Sequence, residues 1–456
     1  MIQVSSKKHT VDMTKGGTYS HIIRFVIPMI IMSVLQTLYN AADMIVVGRF
    51  DSDTALAAVG STSSAINLTI YLFIGISSAA NVVVARKYGE KNEDGLSKVI
   101  HTSIALAIIS GLIVMLFGIV ASRKILLLMG SPEEVIDLSA LYMKIYYLGI
   151  PAMMLYNFGS AILRAIGDTK RPLKYLTISG ITNVVLNYIL VVHFKMSVAG
   201  VAIATAISQI ISAALVLRSL IKTDECYKLR LNKIKIHLNE LGDLLYLGIP
   251  AGIQSTIFSF SNVIIQSSIN SVGKIAMAGN AAGSNIDGIV YVALTSYYHA
   301  TVTYVSQNYG AGNFKRIGKG LRAGCVLVTL TGLILGGAMC IAPELLMRIF
   351  SEVPEVIAVG AQRITYICST YFLCGLMDTM VAGIRGMGAS VLPLVTSIMG
   401  VCGIRLLMLY LCGPYKEVED LVMLYLSYPV SWTFTITLHI ISFLILKRKK
   451  EREFIR

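Results

Sequence analysis

The chain is written twice. Arg164 to Leu173 reads RAIGDTKRPL, and Arg385 to Leu394, 221 positions later, reads RGMGASVLPL. A second pair keeps that register: ARKYGEKN, with Tyr88 and Gly89, returns as SQNYGAGN, with Tyr309 and Gly310. Pro172 and Pro393 also fall on it, while Pro28/Pro250 and Pro132/Pro354 are one residue off. Each repeated segment borders a long apolar stretch, so the duplicated unit is a bundle of membrane helices, a build that points to a transporter.

Roughly 20 apolar residues cross a bilayer as a helix. On that ruler twelve spans are predicted, near 20–46, 54–83, 98–120, 137–163, 172–193, 198–220, 241–268, 276–304, 319–343, 357–384, 391–413 and 421–446. With 55% of residues hydrophobic and 14% charged, a soluble domain of this length is excluded. The longest polar stretch, Thr223 to Glu240, falls after the sixth span. Six is even, so both halves enter the membrane with the same orientation. The expected fold is all-α and integral to the membrane, with twelve transmembrane helices in two parallel, pseudo-symmetric six-helix lobes. The lobes are expected at 1–235, ending in a cytoplasmic linker, and at 236–456.

A net charge of +14 would suit a nucleic-acid partner if it were spread over a surface. It is not. Basic residues gather in alternate loops, at Lys7, Lys8 and Lys15, at Arg86 to Lys98, at Lys170 to Lys174, at Lys222 to Lys235, at Lys315 to Arg322 and at Lys447 to Arg452. The loops between carry Asp51, Glu133, Glu134, Glu352, Glu355, Glu417 and Asp420. This is the positive-inside pattern of a multi-pass inner-membrane protein with both termini cytoplasmic. Nucleic acid is therefore not an expected partner.

None of the seven cysteines has CxxC spacing, so neither a disulfide framework nor a zinc site is indicated. The run GNFKRIGKG is not a phosphate loop: its first glycine is misplaced, and Gly320 stands where Ser or Thr should follow Lys319. The driving force is then an ion gradient, or ATP hydrolysed by a separate partner. The gradient is the expected source, with no ATP-binding partner.

Polar side chains inside spans carry the functional signal, since an ionised Asp at a helix centre costs on the order of 2.5–3.5 kcal/mol. In the first span Gln36, Asn40 and Asp43 are spaced i, i+4, i+7 and share one face. The fifth places Asn183 and Asn187 at i, i+4, and the sixth offers Thr205 and Gln209. One carboxylate among neutral oxygens suits Na⁺ coordination or a carboxyl that exchanges a proton. Inter-helix hydrogen bonding is the structural alternative for the amides. The second half supplies Gln254 after Pro250, Asn280 and Asp287 seven apart in span eight, and Asp378 two turns before Arg385. Asp378 corresponds to Asn157 in the first half, so the halves differ chemically. Asp287 and Asp378 can bind a cationic substrate or a proton, or instead neutralise Arg405 in span eleven. Lys144 and Arg363 fall near the outer ends of spans four and ten, where long side chains snorkel to the headgroups. His299 and His439, without paired ligands, read as packing residues.

From about His21 to Leu446 the chain resembles the MATE family of multidrug and toxic compound extrusion transporters, and its bacterial branch most closely. The LRAIGD/IRGMGA repeats, the YGE/YGA loops, the TLYNAADMIVVG first helix and the IPAGIQ opening of the second half carry the resemblance. It implies export of organic cations in exchange for H⁺ or Na⁺ by alternating access. It also implies a cation site at Asp43, Asn183 and Thr205, with Asn187 where many members have an Asp. Another branch has an acid in helix seven, where this chain has Gln254, and one near Cys374, a turn before Asp378. That branch's second-lobe Na⁺ site does not carry over.

The resulting expectation is an antiporter that is not an enzyme and has no cofactor beyond its coupling ion, H⁺ or Na⁺. Its coupling group would be Asp43, Asn183, Asn187, Thr205, Asn40 and Gln36, the first four also a possible Na⁺ site. Asp287, Asp378, Gln254 and Asn280 are the substrate or proton candidates. A monomer in contact with membrane lipid, carrying small organic cations, is expected. The rival reading is a lipid-linked oligosaccharide flippase, whose anionic cargo calls for a cavity lined with Arg and Lys.

Overall fold

The computed structural model describes residues 10–129, 132–413 and 420–455. Lys7, Lys8 and Glu417 of the charge pattern lie outside these residues. Among those described, the chain is helical throughout. The first half folds as α1 (Thr18–Phe50), α2 (Asp53–Gly89), α3 (Glu93–Leu128), α4 (Glu133–Ala165), α5 (Lys170–Asn187) and α6 (Ser197–Lys222). The second half folds as α7 (Leu238–Val272), α8 (Lys274–Gly310), α9 (Phe314–Ile341), α10 (Pro343–Met347), α11 (Pro354–Cys368), α12 (Tyr371–Gly386), α13 (Val391–Ser397), α14 (Arg405–Cys412) and α15 (Leu421–Ile455).

Ten of these segments are long and apolar enough to cross a bilayer, the α5 and α13–α14 spans each counted with its π-helical turn. The pair α11–α12, bent by 45° at its break, makes an eleventh. The twelfth is α8, whose 37 residues reach across a membrane although many of them are polar. The single tenth span expected at 357–384 is thus two helices with a corner. Two spans also change winding midway: α5 runs into a π-helical turn at Tyr188–His193, and α13 into one at Ile398–Ile404.

Capping residues explain several starts. Ser52 accepts a hydrogen bond from the Ala55 N–H at 3.1 Å, and Asn92 accepts one from Gly95 at 2.8 Å with Glu93 and Asp94 in the first turn. The 221-residue register holds in the backbone itself. Gly167 and its counterpart Gly388 have φ of 83° and 84°, and Lys91 and its counterpart Gly312 have φ of 54° and 68°. Both repeated loops therefore turn through a left-handed residue at the same place, which accounts for three of the four being glycine.

The chain forms two compact units, and they do not divide at 235/236. Of the described residues, 10–12 and those within 31–252 make the first, and 13–30 with those within 253–455 make the second. Thus α1 and α7 each contribute to both units, changing over within three residues of Pro28 and Pro250. The reason is legible in the packing of α7. Its GIPAG segment presents Gly248 and Gly252 to α2. A Cβ on Gly248 would sit 2.5 Å from the Ile76 Cα, and one on Gly252 2.7 Å from the Leu72 Cα. Gly75 meets the Gly252 backbone at 2.3 Å in the same sense. Backbones this close are the small-xxx-small mode of helix association in membranes, and they draw the first half of α7 into the first unit.

Candidate functional site

In the first unit α1 meets α5 through Tyr39. Its ring lies where a Cβ on Gly180 would stand, 1.8 Å from the Tyr39 Cζ, and its hydroxyl donates to the Thr177 carbonyl at 3.4 Å. One turn further, the same stripe of α1 delivers Asp43. On α5, Asn183 and Asn187 share a face, and α5 changes to π-helical winding immediately after Asn187. Such turns widen a helix locally and recur at functional sites. Thr205 comes from α6.

Four side chains close a ring. Asn187 Nδ2 donates to Asp43 Oδ1 and, at 3.3 Å, to Asn183 Oδ1. Asn183 Nδ2 donates to Thr205 Oγ1 at 3.3 Å, and the Thr205 hydroxyl donates back to Asp43 Oδ2 at 3.5 Å. Asn183 and Asn187 are 5% and 0% exposed, while Asp43 and Thr205 are half-buried, so the amide side of the ring is withdrawn into the bundle. Every bond at the carboxylate is one it accepts, the pattern an ionised acid requires. Asn187 Oδ1 is buried and makes no hydrogen bond among the described residues. An acceptor of this kind is what a cation or an added proton would engage. Tyr142 and Tyr146 lie within electrostatic reach of Asp43.

Gln36 and Asn40 do not join the ring. Both are exposed, although they share the broad helix face read from their spacing. The packed stripe of α1 is narrower than that face: it runs through Met32, which accepts from the Tyr156 hydroxyl at 3.8 Å, then Tyr39 and Asp43. Asn40 is one position past Tyr39, about 100° round the helix.

In the second unit the polar candidates sort into separate networks. Asp287 does not neutralise Arg405. It forms a buried pair with Arg363, whose Nη2 and Nε reach Asp287 Oδ2 at 2.7 and 2.9 Å. Arg363 Nη1 also donates to Asn280 Oδ1 at 2.7 Å, and Asn280 Nδ2 to Gln266 Oε1 at 2.9 Å. Arg363 is 8% exposed, so it does not snorkel as its place in the sequence suggested. Burying a guanidinium is tolerable here because a carboxylate waits on α8. Gln254 belongs to another group. It accepts from Arg385 Nη2 at 2.6 Å and donates to Ser397 Oγ at 2.9 Å, while Arg385 Nη1 donates to the Tyr298 hydroxyl at 2.9 Å. Ser397 in turn meets His439 Nε2 at 3.4 Å. Asp378 is partly buried and has no hydrogen bond or ion pair among the described residues; the charge that acts on it is Arg385, two turns on.

A duplicated helical bundle in the membrane, with a half-buried carboxylate held by an amide and a hydroxyl, has the build of a secondary transporter. The chain belongs to the MatE family, whose model matches it twice, over residues 28–189 and 250–411. It is similar to the probable multidrug resistance protein YoeA of Bacillus subtilis, 27% identical over 434 residues and covering 93% of both chains. It is also similar to the probable multidrug resistance protein YpnP of the same organism, 29% identical over 396 residues, covering 85% of this chain and 86% of that one. Its fold is that of a MATE protein crystallised in complex with MaD3S, with a TM-score of 0.89 at 21% identity, covering 96% of this chain and 98% of that one.

Proposed function

We propose that this protein is a secondary active exporter that expels amphiphilic organic cations in exchange for H⁺ or Na⁺ by alternating access. It works as a monomer in a bacterial inner membrane with both termini cytoplasmic, and needs no cofactor beyond the coupling ion. The observation that carries the reading is the closed ring around Asp43 in a MatE-family chain.

The ring gives the coupling step a physical form. An empty, ionised Asp43 takes an N–H from Asn187 and an O–H from Thr205. A proton on Asp43 turns one carboxyl oxygen into a donor, and Na⁺ asks its neighbours for oxygens rather than N–H groups. Either load reverses what the carboxylate needs from Asn187, whose Oδ1 stands buried and, among the described residues, unbonded. Turning that amide over re-forms the contacts among α1, α5 and α6 at the point where α5 changes winding. That is a two-state element which a coupling ion can bias. Cationic cargo is drawn to the second unit by Asp378, because the Asp287 charge is already neutralised by Arg363.

Everted membrane vesicles that contain the protein should accumulate ethidium against its own gradient when an outward-directed H⁺ or Na⁺ gradient is imposed. Vesicles without the protein should not. Uptake that ignores both ion gradients would reject antiport.

A further inference from the structure

Arg405 is a buried cation without an anion. It follows the π-helical turn of span eleven and is 5% exposed, yet no carboxylate lies within 4 Å of it among the described residues. Its guanidinium carbon sits 4.3 Å from the centre of the Tyr428 ring and 5.9 Å from that of Trp432. Arg405 Nε donates to Ser431 Oγ at 3.1 Å, and Nη1 reaches Asn262 Oδ1 at 3.5 Å. Neutral oxygens and ring faces position a guanidinium but leave its charge uncompensated, and a charge kept inside a membrane bundle marks a substrate or ion path.

Two further features say what is missing. Asn262 is exposed and belongs to a polar stripe of α7, Ser255, Ser259, Asn262, Gln266 and Asn270, at spacings of three or four residues on one face. Fifteen residues of helix rise about 22 Å, most of the hydrocarbon thickness, and such a face needs water rather than lipid tails. The second feature is α12 itself: Cys374 and Met377, one turn and one residue before Asp378, pack in the same hydrophobic cluster as Trp432, whose ring lies 5.9 Å from Arg405. Opposite charges thus border one cluster of the second unit without pairing with each other.

We infer that Arg405 is the recognition site for the anionic group, a carboxylate first of all, of zwitterionic amphiphiles whose cationic group is held at Asp378. The inference rests on the export reading above and names the residue that meets the negative end of cargo carrying both charges. The planar fork of Arg405 suits bidentate binding of a carboxylate, with Tyr428 and Trp432 packing against the adjoining aromatic scaffold.

A matched dye pair tests it: a rhodamine with a free benzoic acid, which is zwitterionic, and its methyl ester, which is a cation. Trp432 is the sole tryptophan of the chain and adjoins Arg405, so its emission in the purified protein reports occupancy directly. The acid should bind at least as tightly as the ester. Arg405→Gln should weaken the acid by roughly 10- to 100-fold, the scale of a lost charge-assisted hydrogen-bond pair, and change the ester by less than about threefold. Because no acid is orphaned by the change, the variant should melt at or above the wild-type temperature. If it fails to fold, Arg405→Lys, which keeps the charge and loses the fork, should still weaken the acid alone by several-fold. Equal loss of both dyes, or an unaltered acid, overturns the inference. Selective binding without gradient-driven dye movement upholds the site and rejects export, whereas gradient-driven movement with no acid–ester difference rejects the site alone.

Discussion

Replacing Asp43 by asparagine should abolish gradient-driven export while leaving a folded protein in the membrane. The substituted side chain keeps the shape and one acceptor oxygen, so Thr205 or Asn187 retains a partner. Its new N–H₂ can donate to Asn187 Oδ1, which now makes no hydrogen bond among the described residues. What disappears is the charge. An amide neither exchanges a proton near neutral pH nor balances Na⁺, so ion and substrate lose their thermodynamic link. Ethidium efflux against its own gradient should fall to the level of vesicles lacking the protein, a drop of at least about tenfold, equivalent to roughly 1.4 kcal/mol or more. Passive, downhill exchange of ethidium should survive. Wild-type coupling in this variant would remove Asp43 from the mechanism.

The second large effect is expected at Arg363. Arg363→Gln leaves Asp287 buried, charged and alone, at a cost of about 3–5 kcal/mol. The melting temperature of the solubilised protein should drop sharply. Adding Asp287→Asn removes the orphaned charge, and the double variant should regain most of that loss. Asp287→Asn by itself should be the milder change, because Arg363 keeps Asn280 Oδ1 at 2.7 Å and the Tyr425 ring at 6.0 Å. Were Asp287 instead the substrate acid, the order would reverse, with Asp287→Asn ending transport at little expense in stability. Double-mutant coupling between the two residues separates these cases.

The parts of the molecule that depend on local sequence were readable in advance. The 221-residue register predicts matched loops, and Gly167 and Gly388 turn with φ values one degree apart. Asn183 and Asn187 share a helix face at i, i+4, and both enter the ring with Asp43 and Thr205. What escaped depends on how helices are rotated and which distant residue they meet. Spacing groups Gln36 and Asn40 with Asp43, but the contact stripe set by Tyr39 against Gly180 leaves them outside. Arg363 sits toward a span end, where snorkelling is the simplest expectation. Its partner lies 76 residues earlier on another helix, and no sequence pattern encodes that separation. The corner between α11 and α12 and the π-helical turn after Asn187 leave no breaker residue to read: Ser369–Thr370 and Tyr188 are ordinary helix occupants, whereas the turn at Ile398–Ile404 carries Gly400 and Gly403. The change-over of α7 between units was half visible, in the GIPAG glycines around Pro250, though only the approach of Gly75 and Leu72 gives those glycines a reason.

The central claim is that the Asp43 ring holds the coupling cation and gives it up when cargo binds. Tetraphenylphosphonium added to purified protein tests this most directly, with released H⁺ followed by a pH indicator and released Na⁺ by a radioactive tracer. The wild type should release about one of the two ions per bound cargo molecule, and Asp43→Asn should bind cargo and release neither. Equal release from both proteins, or cargo binding to the wild type with no ion displaced, would contradict it.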